Sequence, residues 1–109
     1  MKKKIYVASS YTKGNQATNV RNAIDAANVL AGYGFVPFVP HLSHFWDLLW
    51  PHDYDWWMGY DDEWLQVCDA VLRLPGESLG ADKEEARAHE LGIPVLYSLE
   101  ELLLWRFDG

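Results

Sequence analysis

The segment of residues 78–84 carries side chains suited to nucleophilic chemistry. It reads Ser-Leu-Gly-Ala-Asp-Lys-Glu and opens a predicted helix directly after a predicted strand. A carboxylate near a helix N-terminus is favoured in its ionised form, and an ionised carboxylate at the end of a strand can act as a nucleophile. Acidic residues are also ordinary at helix starts. The residue types alone therefore leave Asp82, Glu84 and Glu85 as alternatives.

Two other segments could support such chemistry. Residues 9–14 read Ser-Ser-Tyr-Thr-Lys-Gly and lead into a predicted helix, whose free N–H groups can hold an anion. Because the segment has no Gly-rich phosphate-binding spacing, an ordinary capping loop explains it equally well. The acidic run at 61–63 is typical of a solvated helix face. It has a function only if one of its carboxylates turns toward the sheet.

The elements that must position these segments alternate between strand and helix. Apolar runs predict strands at 4–8, 35–40, 69–74 and 93–97, and helical spacing predicts helices at 16–31, 81–91 and 98–105, with two more between 41 and 67. Short connections of this kind imply right-handed crossovers and a parallel sheet with helices on both faces. We predict an α/β fold, flavodoxin- or Rossmann-like, as a single three-layer domain over residues 1–109 with a four- to five-stranded parallel sheet.

The predicted topology also indicates where a ligand would bind. In open parallel sheets the site lies outside the carboxyl ends of the strands, where the strand order reverses. The loops after the first and third strands, at 9–14 and 75–80, are therefore expected to form it. The prolines at 37 and 40 predict that the second strand lies at an edge of the sheet.

Charge and composition restrict the possible partners. The formal net charge is -7 and the pI is near 4.8, which argues against binding a nucleic acid polymer. The single cysteine, Cys68, excludes an internal disulfide and favours a reducing, cytoplasmic location. The apolar run that follows the N-terminal lysines is too short to span a membrane. The histidines at 41, 44 and 52 lack metal-ligand spacing, so we predict no metal and no cofactor.

Four motifs in register resemble the nucleoside 2-deoxyribosyltransferase superfamily. They are Ile-Tyr-Val-Ala-Ser-Ser at the start, Asp-x-Glu-Trp-Leu-Gln-x-x-Asp before the third strand, Ser-Leu-Gly-x-x-x-Glu after it, and Gly-Ile-Pro-Val. Within the superfamily the chain is most similar to the compact nucleoside 5'-monophosphate N-glycosidases and to small proteins of the DUF4406 type. The resemblance implies an enzyme acting on a small nucleoside or nucleotide, either as an N-glycosidase or as a deoxyribosyltransferase.

The resemblance also assigns catalytic roles to individual residues. Glu84 corresponds to the nucleophile that attacks the sugar C1' and forms a glycosyl-enzyme intermediate. Tyr6 corresponds to the tyrosine that orients this glutamate. Asp61 corresponds to the aspartate that handles the proton of the leaving base. Retaining glycosidases likewise use one carboxylate as the nucleophile and a second carboxyl group as the proton donor.

Substrate binding is implied for five further residues. Ser78 and Gly80, with Ser9 and Ser10 in the first loop, correspond to the region that receives a 5'-phosphate, and His41 to a residue of the base pocket. Residues 9–13 of the first loop read Ser-Ser-Tyr-Thr-Lys, where the monophosphate glycosidases usually carry glycine and arginine. Asp82 adds an acid that would repel a phosphate. The resemblance therefore leaves open a substrate other than a nucleoside monophosphate.

Three functions remain open at this point. Hydrolysis is favoured over transfer because no segment is identified that would keep water from the intermediate. A binding module that senses a nucleotide or nucleotide-sugar without cleaving it is the first alternative. The second is an interaction protein whose aromatic segment, Trp46, Trp50, Trp56, Trp57 and Met58, pairs two copies of the chain as a homodimer or higher homo-oligomer.

Overall fold

The structure is a computed structural model that describes residues 2–11 and 13–108; Thr12, in the first loop, lies outside the described residues. A short 3-10 turn at Pro40–Ser43 precedes the second helix of the chain. The strands and helices are β1 (Lys4–Ala8), α1 (Gln16–Gly32), β2 (Val36–Phe38), α2 (His44–Leu49), α3 (Tyr54–Leu65), β3 (Ala70–Arg73), α4 (Leu79–Glu90), β4 (Val95–Leu96) and α5 (Leu99–Asp108).

The four strands form one parallel sheet in the order β2-β1-β3-β4. The predicted α/β fold with a parallel sheet is confirmed, with four strands. β2 lies at the edge, as its prolines predicted, because Pro37 has no N–H to donate to a second neighbour. The strand order reverses between β1 and β3, so the carboxyl ends of these two strands mark the expected site.

Alternation along β1 separates the two faces of the sheet. Ile5 and Val7 face a core that also contains the buried side chains of α1 and Leu102 of α5. Tyr6 and Ala8 face the opposite core, which contains the buried side chains of α3 and α4. Because successive strand residues point to opposite faces, this division produces the predicted three layers.

Some boundaries differ from the predicted ones, and hydrogen bonds to side chains explain part of the difference. α4 begins at Leu79, earlier than predicted, because the Ser78 hydroxyl accepts a hydrogen bond from the N–H of Ala81 and acts as the N-cap. In α5 the Ser98 hydroxyl accepts from the N–H of Glu101, as a capping box predicts. The Glu101 carboxylate, however, accepts from Tyr97 N rather than Ser98 N. No helix among the described residues is long and apolar enough to cross a membrane.

Candidate active site

A cavity of about 920 Å³ opens at the carboxyl ends of β1 and β3. Its walls come from the loop after β1, from the segment between β2 and α3, and from the loop and helix that follow β3. The cavity therefore lies where the sequence predicted a ligand site. All five residues assigned to substrate binding and both carboxylates assigned to catalysis line it: Ser9, Ser10, His41, Asp61, Ser78, Gly80 and Glu84.

Glu84 reaches the cavity because of its position on α4. Ala81 and Ala88 are the buried residues of this helix, and Glu84 lies between them at helical spacing, on the face that packs on the sheet. Glu85, by contrast, accepts a hydrogen bond from the Tyr97 hydroxyl at 2.9 Å, on another side of the helix. The geometry thus separates two glutamates that residue type could not distinguish.

Tyr6 is the strand residue that meets Glu84. It belongs to the face of β1 that packs against α3 and α4, and its side chain is fully buried. Its hydroxyl donates a hydrogen bond to the Glu84 carboxylate. Burial, with the nearby carboxylate of Glu84, raises the pKa of Tyr6 well above its usual value, so the hydroxyl keeps its proton and remains a donor.

Asp61 is the member of the acidic run that turns inward. It lies one helical turn before Leu65, which is anchored in the core, and only 9% of its surface is exposed. Its Oδ1 atom has no hydrogen-bond partner among the described residues. Burial raises the pKa of Asp61 to about 7, so a large fraction of this carboxyl group is protonated at neutral pH. Asp62 instead pairs with Arg87 at 3.0 Å, as a residue of the outer helix face.

The environment of Glu84 differs from that of Asp61. Burial raises the pKa of Glu84 to about 7, and the charge of Asp61 adds to this effect. The Tyr6 hydrogen bond and the positive charge of Arg73 act in the opposite direction. The Tyr6 hydrogen bond and Arg73 therefore favour the charged form of Glu84, whereas burial alone acts on the pKa of Asp61.

Ser78 and Gly80 shape the wall formed by α4. The Ser78 hydroxyl accepts from Ala81 N at 3.1 Å, which leaves its own proton free to donate into the cavity. A Cβ atom added to Gly80 would lie 3.5 Å from the Tyr54 hydroxyl. A side chain at Gly80 would therefore occupy the space between the first turn of α4 and Tyr54, the first residue of α3.

His41 fixes the loop that carries Ser9 and Ser10. Its Nε2 atom donates to the Ser10 carbonyl oxygen at 2.8 Å, while its Nδ1 atom is buried without a partner among the described residues. Burial lowers the pKa of His41, so the ring is neutral at pH 7 and Nδ1 can accept a hydrogen bond. The Ser10 hydroxyl donates to the Lys13 carbonyl oxygen, which closes the loop on itself.

Two polar groups of the cavity were not identified from the sequence. Arg73, at the end of β3, is buried; its guanidinium donates to Asp82 at 2.8 Å and to the Gly76 carbonyl oxygen at 2.8 Å. A charged residue in an otherwise apolar strand was an available signal for it. Asp47 accepts from the indole N–H of Trp57 at 2.6 Å, and this long-range pair has no local sequence signal.

The aromatic segment differs in part from the predicted surface. Trp46, Trp56 and Trp57 pack edge-to-face against one another, with ring centroids 4.8 to 5.9 Å apart. Trp57 and Met58 line the cavity instead of forming an outer surface. Trp46, Trp50 and Trp56 are exposed, as expected. Among the described residues no group of three or more histidine, cysteine, aspartate and glutamate side chains is arranged to hold a metal ion.

The arrangement of strands and helices is also found in a solved enzyme. The fold is similar to that of a 2-deoxyribosyltransferase from Bacillus psychrosaccharolyticus, described as a biocatalyst for the synthesis of nucleosides. The identity is 24% and the TM-score 0.61, with 84% of this chain and 69% of that chain covered. This likeness shows the fold.

The family of the chain follows from its sequence. A family model matches residues 3–98, and the chain belongs to that family, DUF7768, a domain of unknown function. The expected DUF4406 assignment is not the one found, because the matching model is that of DUF7768. No curated protein matches the chain.

Proposed function

We propose that this protein is an N-glycosidase that cleaves the bond between base and sugar in a nucleoside or nucleotide. The observation that carries the proposal is the contact between the Tyr6 hydroxyl and Glu84. The same cavity contains the buried carboxyl of Asp61, whose Oδ1 atom has no partner among the described residues. The motifs that resemble the nucleoside 2-deoxyribosyltransferase superfamily contain these three residues, and the fold is shared with such an enzyme.

The reaction needs one nucleophile and one acid. The ionised Glu84 attacks C1' as the bond to the base breaks, through a state with oxocarbenium character, and Asp61 gives its proton to the departing base. The products of this step are the free base and a sugar ester of Glu84. The Asp61 carboxylate then takes a proton from a water molecule that attacks C1', which releases the sugar and restores both groups.

The state of the two carboxyls supports this assignment of roles. Glu84 receives a hydrogen bond from Tyr6 and the field of Arg73, both of which favour its charged form. Asp61 has only burial, which favours its neutral form. A charged nucleophile beside a neutral acid is the combination that the first step requires.

Hydrolysis is the outcome that we propose rather than transfer to a second base. Glu84 is half-buried, so part of its side chain remains in contact with solvent. Water can therefore reach an intermediate on its carboxylate. A transferase must protect the same intermediate until the acceptor base has bound.

Base release from a panel of nucleosides and their 5'-monophosphates tests the proposal. We expect the wild-type protein to release free base. In Glu84→Gln the rate of base release should fall by about a thousandfold or more, because the nucleophile is removed. Glu85→Gln is the matched control, because Glu85 is one position away and faces Tyr97. Its rate should stay near that of the wild type.

Two results of this experiment would reject the glycosidase. If no panel member released base but several raised the Tm, the site would belong to a binding module. If Glu84→Gln kept the wild-type rate, the nucleophile would lie elsewhere.

We also propose that two copies of the chain associate through α2. Its outer face presents large apolar side chains to solvent, with Phe45 76% and Leu49 75% exposed, and Trp50 follows the helix with 72% exposed. A contiguous apolar patch of this kind is typical of an interface between proteins. This surface replaces the wider aromatic segment as the proposed contact, since Trp57 and Met58 line the cavity.

A further inference from the structure

Both cations that line the cavity among the described residues are neutralised by carboxylates that line it too. Lys13, in the loop after β1, forms an ion pair with Glu77, in the loop after β3. Arg73 is paired with Asp82. These contacts lie at the two loops where an anionic group of a substrate would have to bind.

The helix N-termini beside the cavity are likewise occupied. In α1 the Asn15 side chain accepts from the N–H of Thr18 at 2.9 Å. In α4 the Ser78 hydroxyl accepts from the N–H of Ala81, and Asp82 places a negative charge in the first turn. One N–H at each of these helix N-termini is thus satisfied by a side chain, and Asp82 places a negative charge where a phosphate would meet the dipole of α4.

The balance of charge in the cavity is negative. Its described lining contains five carboxylates and two cations. If Asp61 and Glu84 share one proton, the carboxylates still exceed the cations. A phosphate monoester carries roughly −1.5 to −2 charges at pH 7, so it would enter a site of its own sign.

We propose that the cavity selects a nucleoside with a free 5'-hydroxyl, and that Glu77 and Asp82 exclude the corresponding 5'-monophosphate. This inference rests on the proposed glycosidase function and names the substrate class of the same site. A hydroxyl group donates a hydrogen bond, and carboxylate oxygens accept one. The same two carboxylates that repel a phosphate are therefore suited to a hydroxyl.

The test compares kcat/KM for one nucleoside and its 5'-monophosphate. For the wild-type protein we expect a preference for the nucleoside of about tenfold or more, since like charges brought together disfavour the wrong ligand. The double variant Glu77→Gln/Asp82→Asn removes the carboxylates that pair most closely with Lys13 and Arg73, and its preference should shift toward the monophosphate by about tenfold or more. Both side chains are largely exposed, so the variant is expected to fold.

A second double variant controls for net charge. Asp25→Asn/Glu63→Gln removes two charges from the exposed surfaces of α1 and α3, outside the cavity lining. Its preference should equal that of the wild type. If it shifted as much as the cavity variant, the selection would be a property of the whole protein surface and the inference would be wrong.

The failure of this inference is distinct from the failure of the proposed function. A wild-type enzyme that cleaved the monophosphate as well as the nucleoside would overturn the inference while supporting the glycosidase. An unchanged preference in the cavity variant would also overturn it. If neither compound were cleaved, the dissociation constants of the nucleoside and the monophosphate would be compared in the wild type and in the same variants. A preference for the nucleoside that the cavity variant reduces would support the charge selection, and an unchanged ratio would overturn it.

Discussion

At the scale of single residues, Tyr6 distinguishes the two carboxyls that we propose as catalytic, Glu84 and Asp61. Its hydroxyl contacts Glu84, and the hydrogen bond lowers the pKa of that carboxyl against the effect of burial. The Oδ1 atom of Asp61 receives no such hydrogen bond from the part of the chain that the structure describes. The Tyr6 hydroxyl therefore favours the charged form of Glu84, the proposed nucleophile, over that of Asp61, the proposed acid.

Tyr6→Phe tests this role because it removes the hydroxyl and keeps the ring. Without the hydrogen bond the pKa of Glu84 rises, so the acidic limb of the kcat/KM profile should move to higher pH. We expect kcat at neutral pH to fall by about tenfold to a hundredfold, the range of a lost positioning interaction. If the acidic limb of the kcat/KM profile stayed at the wild-type pH in this variant, Tyr6 would have only a structural role.

Asp61 should make stability depend on pH. Its pKa is about 7 in the native state and near 4 when unfolded, so the native protein holds a proton that the unfolded chain has lost. Stability from this group is therefore present below about pH 4 and is lost as the pH rises toward 7. Glu84 acts in the same direction.

Asp61→Asn should remove this loss of stability at high pH. The same change should abolish base release. At pH 8 we expect its free energy of unfolding to exceed that of the wild type by on the order of 2 kcal/mol, with little difference at pH 4. Thermal unfolding at the two pH values measures the effect. Glu63→Gln, an exposed change of the same charge on α3, is the control and should show no such gain. Equal unfolding curves for Asp61→Asn and the wild type at pH 8 would contradict the account.

At the scale of elements, local sequence signals identified most of the architecture. Apolar runs located all four strands, and helical spacing located the five helices within a few residues. The rule that ligands bind at the carboxyl ends of parallel strands located the cavity at the loops after the first and third strands. β4 is shorter than predicted, with only Val95 and Leu96 paired to β3.

The polar contacts inside the cavity could not be predicted in the same way. Residue type left Asp82, Glu84 and Glu85 equivalent, and only the packing of α4 on the sheet gives them different neighbours. The pair of Asp47 with Trp57 joins two helices across a turn. Such contacts depend on the relative placement of elements, which no local pattern encodes.

The two serine caps provide an element-scale prediction. Ser78→Ala and Ser98→Ala each remove an N-cap hydrogen bond, and each should cost about 1 kcal/mol of stability. Only Ser78 lines the cavity. We therefore expect the KM for the substrate to rise severalfold in Ser78→Ala and to stay unchanged in Ser98→Ala. Equal KM values in the two variants would mean that Ser78 serves the helix alone.

For the whole molecule, the exposed apolar face of α2 predicts self-association. Leu49→Glu places a charge in that face and should shift the protein toward monomer in sedimentation at micromolar concentration. Leu104→Glu makes the same change at an exposed leucine of α5 and should leave the assembly intact. A wild-type protein that sediments only as a monomer would refute the proposed pairing.

The most direct test of the central claim is detection of a sugar covalently bound to Glu84. The enzyme is mixed with a cleaved nucleoside, quenched in acid within one turnover, digested, and its peptides are analysed by mass spectrometry. The mechanism predicts the mass of the sugar on the Glu84 side chain in the wild type, and its absence in Glu84→Gln. Rapid base release without any modified peptide, or a modification on Glu85 instead, would contradict a mechanism in which Glu84 is the nucleophile.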